Sequence, residues 1–420
     1  MNLSRRILFV LGIAALAAPA AFGQNEKPVS GFGIAFSGYV KTDIFYDTRQ
    51  TVNTREGHFL LYPKDPLLDP DGNDINAKSG FNILSIQTRL IGKITGPDAL
   101  GARTSAYLEA EFFGTSDADL NAFRLRHAYL KLNWKTSELL IGQFWHPMFI
   151  SESYPDVVSF NTGAPFQPFN RSPQVRYIRT FGKVSLVATA LSQRDFVSNG
   201  PQGPSSAYLR NAALPEFNLK LQYAARNKAA ETETLVGAGV DIMKLVPRLA
   251  TASGYRTDAS VTSLAGMAYF KQKWPKWTFK AEGVYGSNLH HLTMSGGYAV
   301  RDVPQIPESD FWTYAPTNTL SVWTEAQTTG ERWQTGIFAG YSKNLGARQD
   351  IVSPAFARGP NIDQLYRISP RLIYNAGKIR FAGETELTGA SYGIPDALGK
   401  ARGAKFIANL RLLFAAYYFF

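Results

Sequence analysis

Cysteine is absent from the 420-residue sequence, so no disulfide framework, thiolate metal ligand or thiol nucleophile can form. Beyond the N-terminal leader, no segment approaches the roughly 20 apolar residues that a membrane-spanning helix needs. Helical periodicity of useful length and internal repeats are also missing. These absences exclude a disulfide-stabilised secreted domain and a helical membrane protein.

Aromatic residues are plentiful instead, at 13%, and the mean hydropathy is close to zero at −0.15. Alternation of apolar and polar faces along membrane strands produces such an average. The C-terminal segment has a fully apolar face with a period of two, formed by Leu410, Leu412, Phe414, Ala416, Tyr418 and Phe420. A strand this long and aromatic would recruit other chains if it were an exposed edge. A closed barrel in a bilayer pairs and covers it, whereas the alternative is a buried last strand of a soluble sheet.

The first residues have the form of a secretory signal peptide. Arg5 and Arg6 precede the apolar run ILFVLGIAALAAPA, and Ala21-Phe22-Gly23 is the predicted cleavage site. A single membrane anchor is the alternative, but the apolar run is short. We therefore expect a signal peptide at 1–23 and a single barrel domain at 24–420. Removing the two arginines changes the formal charge from +11 to 11 − 2 = +9. The cations are scattered singly along strands, so the basic balance does not indicate nucleic acid as a partner.

Alternating segments bounded by turn residues predict sixteen strands. They cover 34–50, 81–95, 102–114, 122–135, 137–147, 174–181, 183–194, 215–225, 232–242, 260–273, 276–287, 320–327, 332–345, 364–375, 378–392 and 404–420. Apart from the brief TSDADLN connection, short turns and long loops alternate along the chain, as in outer-membrane barrels with short periplasmic turns and long extracellular loops. The prediction of 320–327 depends partly on this parity. The expected fold is all-β: a sixteen-stranded antiparallel transmembrane β-barrel in the outer membrane of a Gram-negative bacterium.

A barrel of 16 strands is wide enough to leave an aqueous channel. The third outer loop, 148–173, is long and rich in Pro, Phe and Ser. Its apolar side chains need a wall to pack against, which favours folding into the lumen over capping the rim.

Charged residues share the strand face opposite the apolar residues and are therefore predicted to face the lumen, because Lys or Arg facing lipid costs about 2–4 kcal/mol near the midplane. The predicted inward cations are Lys41, Arg49, Arg89, Lys93, Arg124, Arg126, Lys220, Lys280, Arg367, Arg371 and Arg380. The predicted inward acids are Asp43, Asp47, Glu109, Glu111, Glu282, Glu384 and Glu386. Pairing of about half these charges would still leave a positive lumen, which favours anions. The fourth strand changes phase after Arg126; a bulge near His127 or an incorrect assignment of Arg124 and Arg126 would explain it.

Catalytic and metal motifs are weak. None of the five histidines shows metal spacing, adjacent His290 and His291 should face opposite sides of a strand end, and no nucleophile motif supports an enzyme. The first outer loop contains oxygen ligands at spacing that suits calcium: Asp69, Asp71, Asn73 and Asp74. The run lacks the terminal Glu of an EF-hand loop, so a plain Asx/Pro/Gly turn is the alternative. No other cofactor is expected.

Several segments resemble the DcaP-like outer-membrane porins over nearly all of the mature chain: GYVKTDIFYDTRQTVNTREGHFLLYP, GQFWHPMFI, SFNTGAPFQPFNRSPQVR and LSQRDF. The resemblance implies a sixteen-stranded barrel, usually trimeric, that passes small solutes and favours negatively charged ones such as dicarboxylates. Phe420, with Tyr418, Phe414 and Leu412, also looks like the terminal signal read by the barrel-assembly machinery. Some family members carry an N-terminal coiled coil, but here only Gln24 to Gly33 precede the first strand.

The predicted function is passive diffusion of small anions through an outer-membrane porin. The alternative is a barrel plugged by its long loops that acts as a surface scaffold or a subunit of a larger envelope assembly.

Overall fold

Strands dominate the part of the chain that the structure, a computed structural model, describes: residues 31–301 and 310–420. The predicted signal peptide lies outside these residues. The strands that form the barrel are β1 Gly33–Asp47, β4 Gly80–Leu84, β5 Arg89–Thr95, β6 Arg103–Glu111, β7 Arg124–Asn133, β8 Ser137–Trp145, β9 Arg171–Phe181, β10 Val184–Leu191, β11 Glu216–Asn227, β12 Thr232–Leu245, β13 Val261–Lys273, β14 Trp277–Ser287, β17 Asn318–Thr328, β18 Trp333–Gly346, β20 Ile362–Ala376, β21 Ile379–Pro395 and β22 Ala401–Phe419.

The barrel closes between its first and last strands. β1 pairs antiparallel with β22 on one side and with both β4 and β5 on the other, so β4 and β5 form one barrel strand interrupted at 85–88. Counting them once gives sixteen antiparallel strands, which confirms the predicted fold class. The strand predicted partly from parity is confirmed as β17, between β14 and β18.

Apolar and charged side chains separate across the wall as predicted. Val40, Leu219 and Leu372 are exposed on the outer face, while neighbouring Lys41 and Lys220 are buried inside. This belt of exposed apolar residues around a closed sheet suits lipid. Within residues 31–301 and 310–420, no helix is both long and apolar enough to cross a membrane.

A β-bulge lies between β6 and β7. Glu109 pairs with His127 and Ala110 with Leu125, so Arg126 has no opposite residue. Arg126 and His127 are both buried on the lumen side. The predicted bulge near His127 is confirmed, and it explains why the strand changes phase.

Eight connections lie at the end of the barrel that the parity rule assigns to the outside. We name them L1 (48–79), L2 (112–123), L3 (146–170), L4 (192–215), L5 (246–260), L6 (described at 288–301 and 310–317), L7 (347–361) and L8 (396–400). The loops contain elements that the sequence did not predict: β2 Thr51–Thr54, β3 Phe59–Pro63, β15 Gly296–Arg301, β16 Tyr314–Pro316, β19 Ile351–Arg358 and the short helix α1 Ala207–Asn211. β2 and β3 form a hairpin in L1, and the last three strands join L6 and L7 in a small sheet. Such short pieces carry too few alternations to stand out in a sequence.

Candidate functional site

L3 folds into the lumen and contacts the inner wall at several points. The Lys41 ammonium donates to the backbone oxygen of Val158 at 3.1 Å. The Val158 amide donates to Glu384 at 2.7 Å, and Ser321 on β17 donates to the Phe166 carbonyl at 3.1 Å. L3 is therefore fixed to β1, β17 and β21, and the predicted inward folding is confirmed.

Aromatic ring contacts also hold L3 in place. The Phe149 ring stacks on Trp145 with centroids 3.9 Å apart, and Phe160 lies 4.0 Å from Phe113. These side chains belong to, or pack against, a cluster of buried residues that also includes residues of L1 and contacts L4 through Phe196. The aromatic residues of L3 thus find the wall that the sequence required for them.

A dense group of charges lies beside L3, and we call it the arginine cluster. It comprises Arg55, Arg89, Arg124, Arg126 and Arg171 with the acids Glu109, Glu111 and Asp195. β5, β6, β7 and the start of β9 provide six of these residues, while Arg55 comes from L1 and Asp195 from L4. Five cations face three carboxylates, so the cluster keeps a surplus of 5 − 3 = +2.

Ion pairs order the cluster. Arg89 lies 3.3 Å from Glu109 and 3.1 Å from Glu111. Asp195 accepts from Arg171 at 2.6 Å and also pairs with Arg124. Burial alone would raise the pKa of Asp195, but Arg171 and Arg124 outweigh burial and hold that pKa well below its usual range. The L4 carboxylate is therefore ionised at neutral pH and ties L4 to the barrel wall.

Arg55 joins the cluster through ring contacts rather than an ion pair. Its guanidinium lies 4.3 Å from the centre of the Phe113 ring, and its Nε donates to the Gly114 carbonyl. Burial and then the charge of Arg124 lower its pKa to about 9, so it remains a cation at neutral pH. Strand phase could not assign Arg55, Arg171 or Asp195 to the lumen, because Arg55 and Asp195 lie in loops and Arg171 precedes the strand predicted at 174–181.

A second group lies along β1. Lys41 pairs with Asp43 at 3.0 Å, and Asp43 also binds His58 of L1 at 2.7 Å. Arg49, by contrast, lies past the end of β1 and pairs with Asp74 of L1 at 3.0 Å. Its charge therefore belongs to the outer loop rather than to the strand region predicted at 34–50.

The remaining predicted lumen cations fall into two sets. Arg367 bonds the Leu61 carbonyl at 2.7 Å and lies 3.4 Å from Glu386, while Arg371 pairs with Glu325 at 3.1 Å. Lys93, Lys220 and Arg380 have no ion pair within the described residues: Lys93 is exposed, Lys220 lies 5.7 Å from the Tyr269 ring, and Arg380 lies 5.3 Å from the Phe419 ring.

Pairing exceeds the predicted half. Eight of the eleven predicted inward cations make an ion pair and three do not, since Lys280 also pairs with Glu325 at 3.0 Å. Two predicted inward acids, Glu282 and Glu384, are buried and also make no ion pair within the described residues, so they offset two of these three cations and the arginine cluster holds the larger positive surplus.

The proposed calcium ligands make local hydrogen bonds. Asp69 accepts from the Asp71 and Asn73 amides at 3.0 and 2.8 Å, which is the geometry of an Asx turn. Asp74 accepts from the Leu67 and Asn76 amides and from Arg49. These carboxylates are not among the described side chains that converge as metal ligands. Calcium binding here stays a prediction.

Three residues that do converge were missed. His146 of L3, Glu216 of β11 and His291 of L6 place their ligand atoms within 4.8 Å of one another. Their separations of 70 and 75 residues leave no local motif. Only the closure of the barrel brings them together.

No protein-family model and no curated protein matches the chain. Among solved structures, the outer membrane channel DcaP of Acinetobacter baumannii aligns over 96% of this chain and 100% of its own, with a TM-score of 0.68 and 17% identity. This chain has the fold of an outer-membrane porin.

Two further structures share that porin fold at lower similarity. The anion-selective porin from Comamonas acidovorans covers 93% of this chain and 100% of its own, with a TM-score of 0.53 and 10% identity. The trimer form of OmpT from Vibrio cholerae covers 93% and 100%, with a TM-score of 0.53 and 11% identity. The predicted DcaP-like architecture is thereby confirmed, and it is an architecture of the Gram-negative outer membrane.

Proposed function

We propose that the protein is a passive diffusion channel of the Gram-negative outer membrane that prefers small anions. The observation that carries the proposal is the arginine cluster, in which five cations face three carboxylates beside the loop that narrows the lumen. A surplus of fixed cations in a low-dielectric passage lowers the energy of an anion in transit. Salt bridges within the cluster limit its strength, so an anion is attracted without being trapped.

Dicarboxylates are the substrate class that we propose. The support is the sequence resemblance to DcaP-like porins, together with a surplus of two charges, which matches a doubly charged solute. The cations outside the cluster extend this surplus, because Lys93 and Arg380 have no acid partner within the described residues. Two cations at one constriction can each pair with a carboxylate, so they bind a dicarboxylate more strongly than a monocarboxylate.

Bilayer recordings test the proposal. The purified protein is reconstituted into a planar membrane, and the reversal potential is measured in a KCl gradient at low salt. We expect discrete conductance steps and an anion-selective potential, with succinate reducing the chloride current. A barrel that inserts without conducting would indicate the plugged scaffold instead, and a cation-selective potential would refute the assignment of the arginine cluster.

We also propose a homotrimer. The outer wall beside the β1–β22 seam carries an apolar groove of about 650 Å³, lined by Ile44, Tyr46, Phe81, Gly383, Leu412 and Phe414. Large side chains around a glycine make a surface into which a second copy can insert. The family resemblance favours three copies, and the OmpT structure compared above has a trimer form.

A further inference from the structure

Two buried carboxyl groups lie together at the outer end of the lumen without a cation beside them. Glu216 is 0% exposed and Asp241 is 5% exposed. Asp241 pairs across the strands with Asn218, two residues from Glu216 on the same face, and Asn218 donates to Asp241 at 3.0 Å. Within the described residues, neither carboxylate makes an ion pair with Lys or Arg. A buried acid pair without compensating charge is costly.

Two histidines complete the group. Nε2 of His146 and Nε2 of His291 each lie 2.9 Å from the same Oε1 atom of Glu216. Both rings are buried, at 0% and 2% exposure. Oε2 of Glu216 is buried without a hydrogen-bond partner, so half of this carboxylate is unused.

We propose that His146, Glu216 and His291 form a binding site for a divalent transition-metal ion of the zinc type, with Asp241 beside them on the next strand. Two imidazoles with one or two carboxylates are a ligand set that Zn²⁺ takes in proteins. Metal–ligand bonds of about 2.0–2.1 Å at tetrahedral angles place ligand atoms about 3.3 Å apart. The nitrogen–oxygen separations of 2.9 Å therefore need to open by only a few tenths of an ångström. The ion's double charge balances the carboxylates of Glu216 and Asp241.

Metal binding requires a proton to leave Nε2 of His146. The Met148 amide donates to Nδ1 of His146 at 3.2 Å, which places the ring proton on Nε2 in the metal-free protein. Coordination through Nε2 moves that proton to Nδ1, and so breaks the longest hydrogen bond of the group. Protons compete with the ion for the imidazole and carboxylate ligands, so acidification weakens binding.

The site fastens two loops to the wall. His146 immediately follows β8 and begins L3, whereas His291 belongs to L6. Glu216 and Asp241 stand on the neighbouring strands β11 and β12. A bound ion therefore links the base of the constriction loop and L6 to one rigid element, without using any residue of the arginine cluster.

The experiment uses the full-length barrel, purified in detergent, stripped with EDTA and dialysed. Zn²⁺ binding is measured by titration calorimetry and by metal content after gel filtration, and Co²⁺ serves as the spectroscopic probe of tetrahedral geometry. Glu216→Gln keeps the side-chain size and an acceptor for the imidazole protons but removes the ligand charge. His290→Asn is the matched control, because His290 adjoins the site yet bonds only the Val197 carbonyl, at 3.3 Å.

We expect one Zn²⁺ per chain, a tetrahedral Co²⁺ spectrum and a higher denaturation midpoint with Zn²⁺. Losing a ligand should weaken binding at least about 100-fold in Glu216→Gln, since losing even an outer-shell partner typically costs 10–100-fold. His290→Asn should bind like wild type. Absence of binding to the wild-type barrel would overturn the proposal and leave the group as a buried hydrogen-bond network. Equal loss in both variants would also overturn it. If Glu216→Gln fails to fold, as judged by heat-modifiable gel mobility, the wild-type titration and Co²⁺ spectrum decide.

Discussion

At the scale of single residues, the ion selectivity of the lumen depends on the net charge that remains after ion pairing, not on the number of charged residues. Most inward cations have acid partners, so removing one acid changes the local field as much as adding one cation. Asp195 is the informative position, because it comes from L4 and neutralises Arg124 and Arg171. Removing one partner of a buried ion pair leaves the other charge buried without compensation, which destabilises the protein. The choice of the removed partner therefore matters.

Replacing Asp195→Asn should increase anion preference. The surplus of the arginine cluster rises from +2 to +3 while the side-chain shape is kept. One unit charge at about 8 Å contributes about 0.5 kcal/mol in water-like surroundings, favourable for an anion and unfavourable for a cation, which together correspond to roughly a fivefold change in the anion-to-cation permeability ratio. The reversal potential in a low-salt KCl gradient measures this ratio. The change should fade at 1 M salt, where the screening length is about 3 Å.

Asp363→Asn is the matched control, because Asp363 pairs with Lys343 at 2.7 Å outside the arginine cluster and should leave the potential unchanged. If Asp195→Asn moved the potential no more than Asp363→Asn at low salt, the arginine cluster would not control selectivity.

The sequence predicted which residues face inward but not whom they contact. Period-two alternation places Arg89 and Glu109 on the inner face, because a charged side chain on the outer face would contact lipid at a cost in free energy. The positions of Arg171 and Asp195 in the same cluster depend on where the chain reverses direction, and that geometry has no local signature. For the same reason His146 and His291 appeared unrelated.

At the scale of elements, L3 is held by acceptors on the strands. Glu384 accepts from the Val158 and Ser159 amides at 2.7 and 3.2 Å, and Asn161 donates to Glu386 at 2.8 Å. Each predicted strand and the constriction loop is found, with shifted ends and one break at 85–88, because each is long enough to repeat its pattern. The small sheet of β15, β16 and β19 was missed because its strands are short and one lies in another loop.

Glu384→Ala should loosen L3. The substitution leaves two buried amides without an acceptor, at about 1–3 kcal/mol each. We expect a larger mean single-channel conductance and more frequent current transitions, recorded in the same bilayer assay. Asp396→Ala is the control: Asp396 also accepts two backbone amides, from Leu398 and Lys400, but in L8. Unchanged current noise and conductance in Glu384→Ala would mean that L3 is held by its aromatic packing instead.

At the scale of the whole molecule, the barrel closes where its first strand, β1, pairs with its last strand, β22. The Gly38 amide donates to the Phe420 carbonyl at 3.2 Å, and the Phe420 amide donates back at 3.1 Å. Phe420 faces outward, with Tyr418 and Phe414 on the same face. The aromatic end of the sequence is therefore the last part of the barrel seam.

Deleting Phe420 should leave the protein secreted but poorly inserted. The deletion removes two hydrogen bonds of the seam and the terminal aromatic residue that the assembly machinery is proposed to read. Surface labelling and heat-modifiable gel mobility measure the outcome, and Phe420→Tyr, which keeps an aromatic end, should insert normally. Wild-type surface levels of the deletion variant would refute this role.

The outer wall makes the trimer testable without disturbing a barrel. Gly383 lies on the outer face within the apolar groove, and a side chain added there meets no atom within 4 Å. Gly383→Phe should therefore leave the barrel folded yet fill the groove that a second copy would enter. We expect the detergent-solubilised mass to fall from three barrels to one, as measured by light scattering.

Gly266→Phe is the matched control on β13, where an added side chain is equally free, its nearest contact being the Gly239 carbonyl at 3.9 Å. That variant should keep the wild-type mass, because the substitution is far around the wall from the seam. Both variants add the same apolar surface, so lipid should accommodate them equally. Only contact between copies can make their detergent-solubilised masses differ. A wild-type mass of one barrel in mild detergent would contradict the trimer directly. Loss of assembly in both variants would instead show that the groove is not the contact.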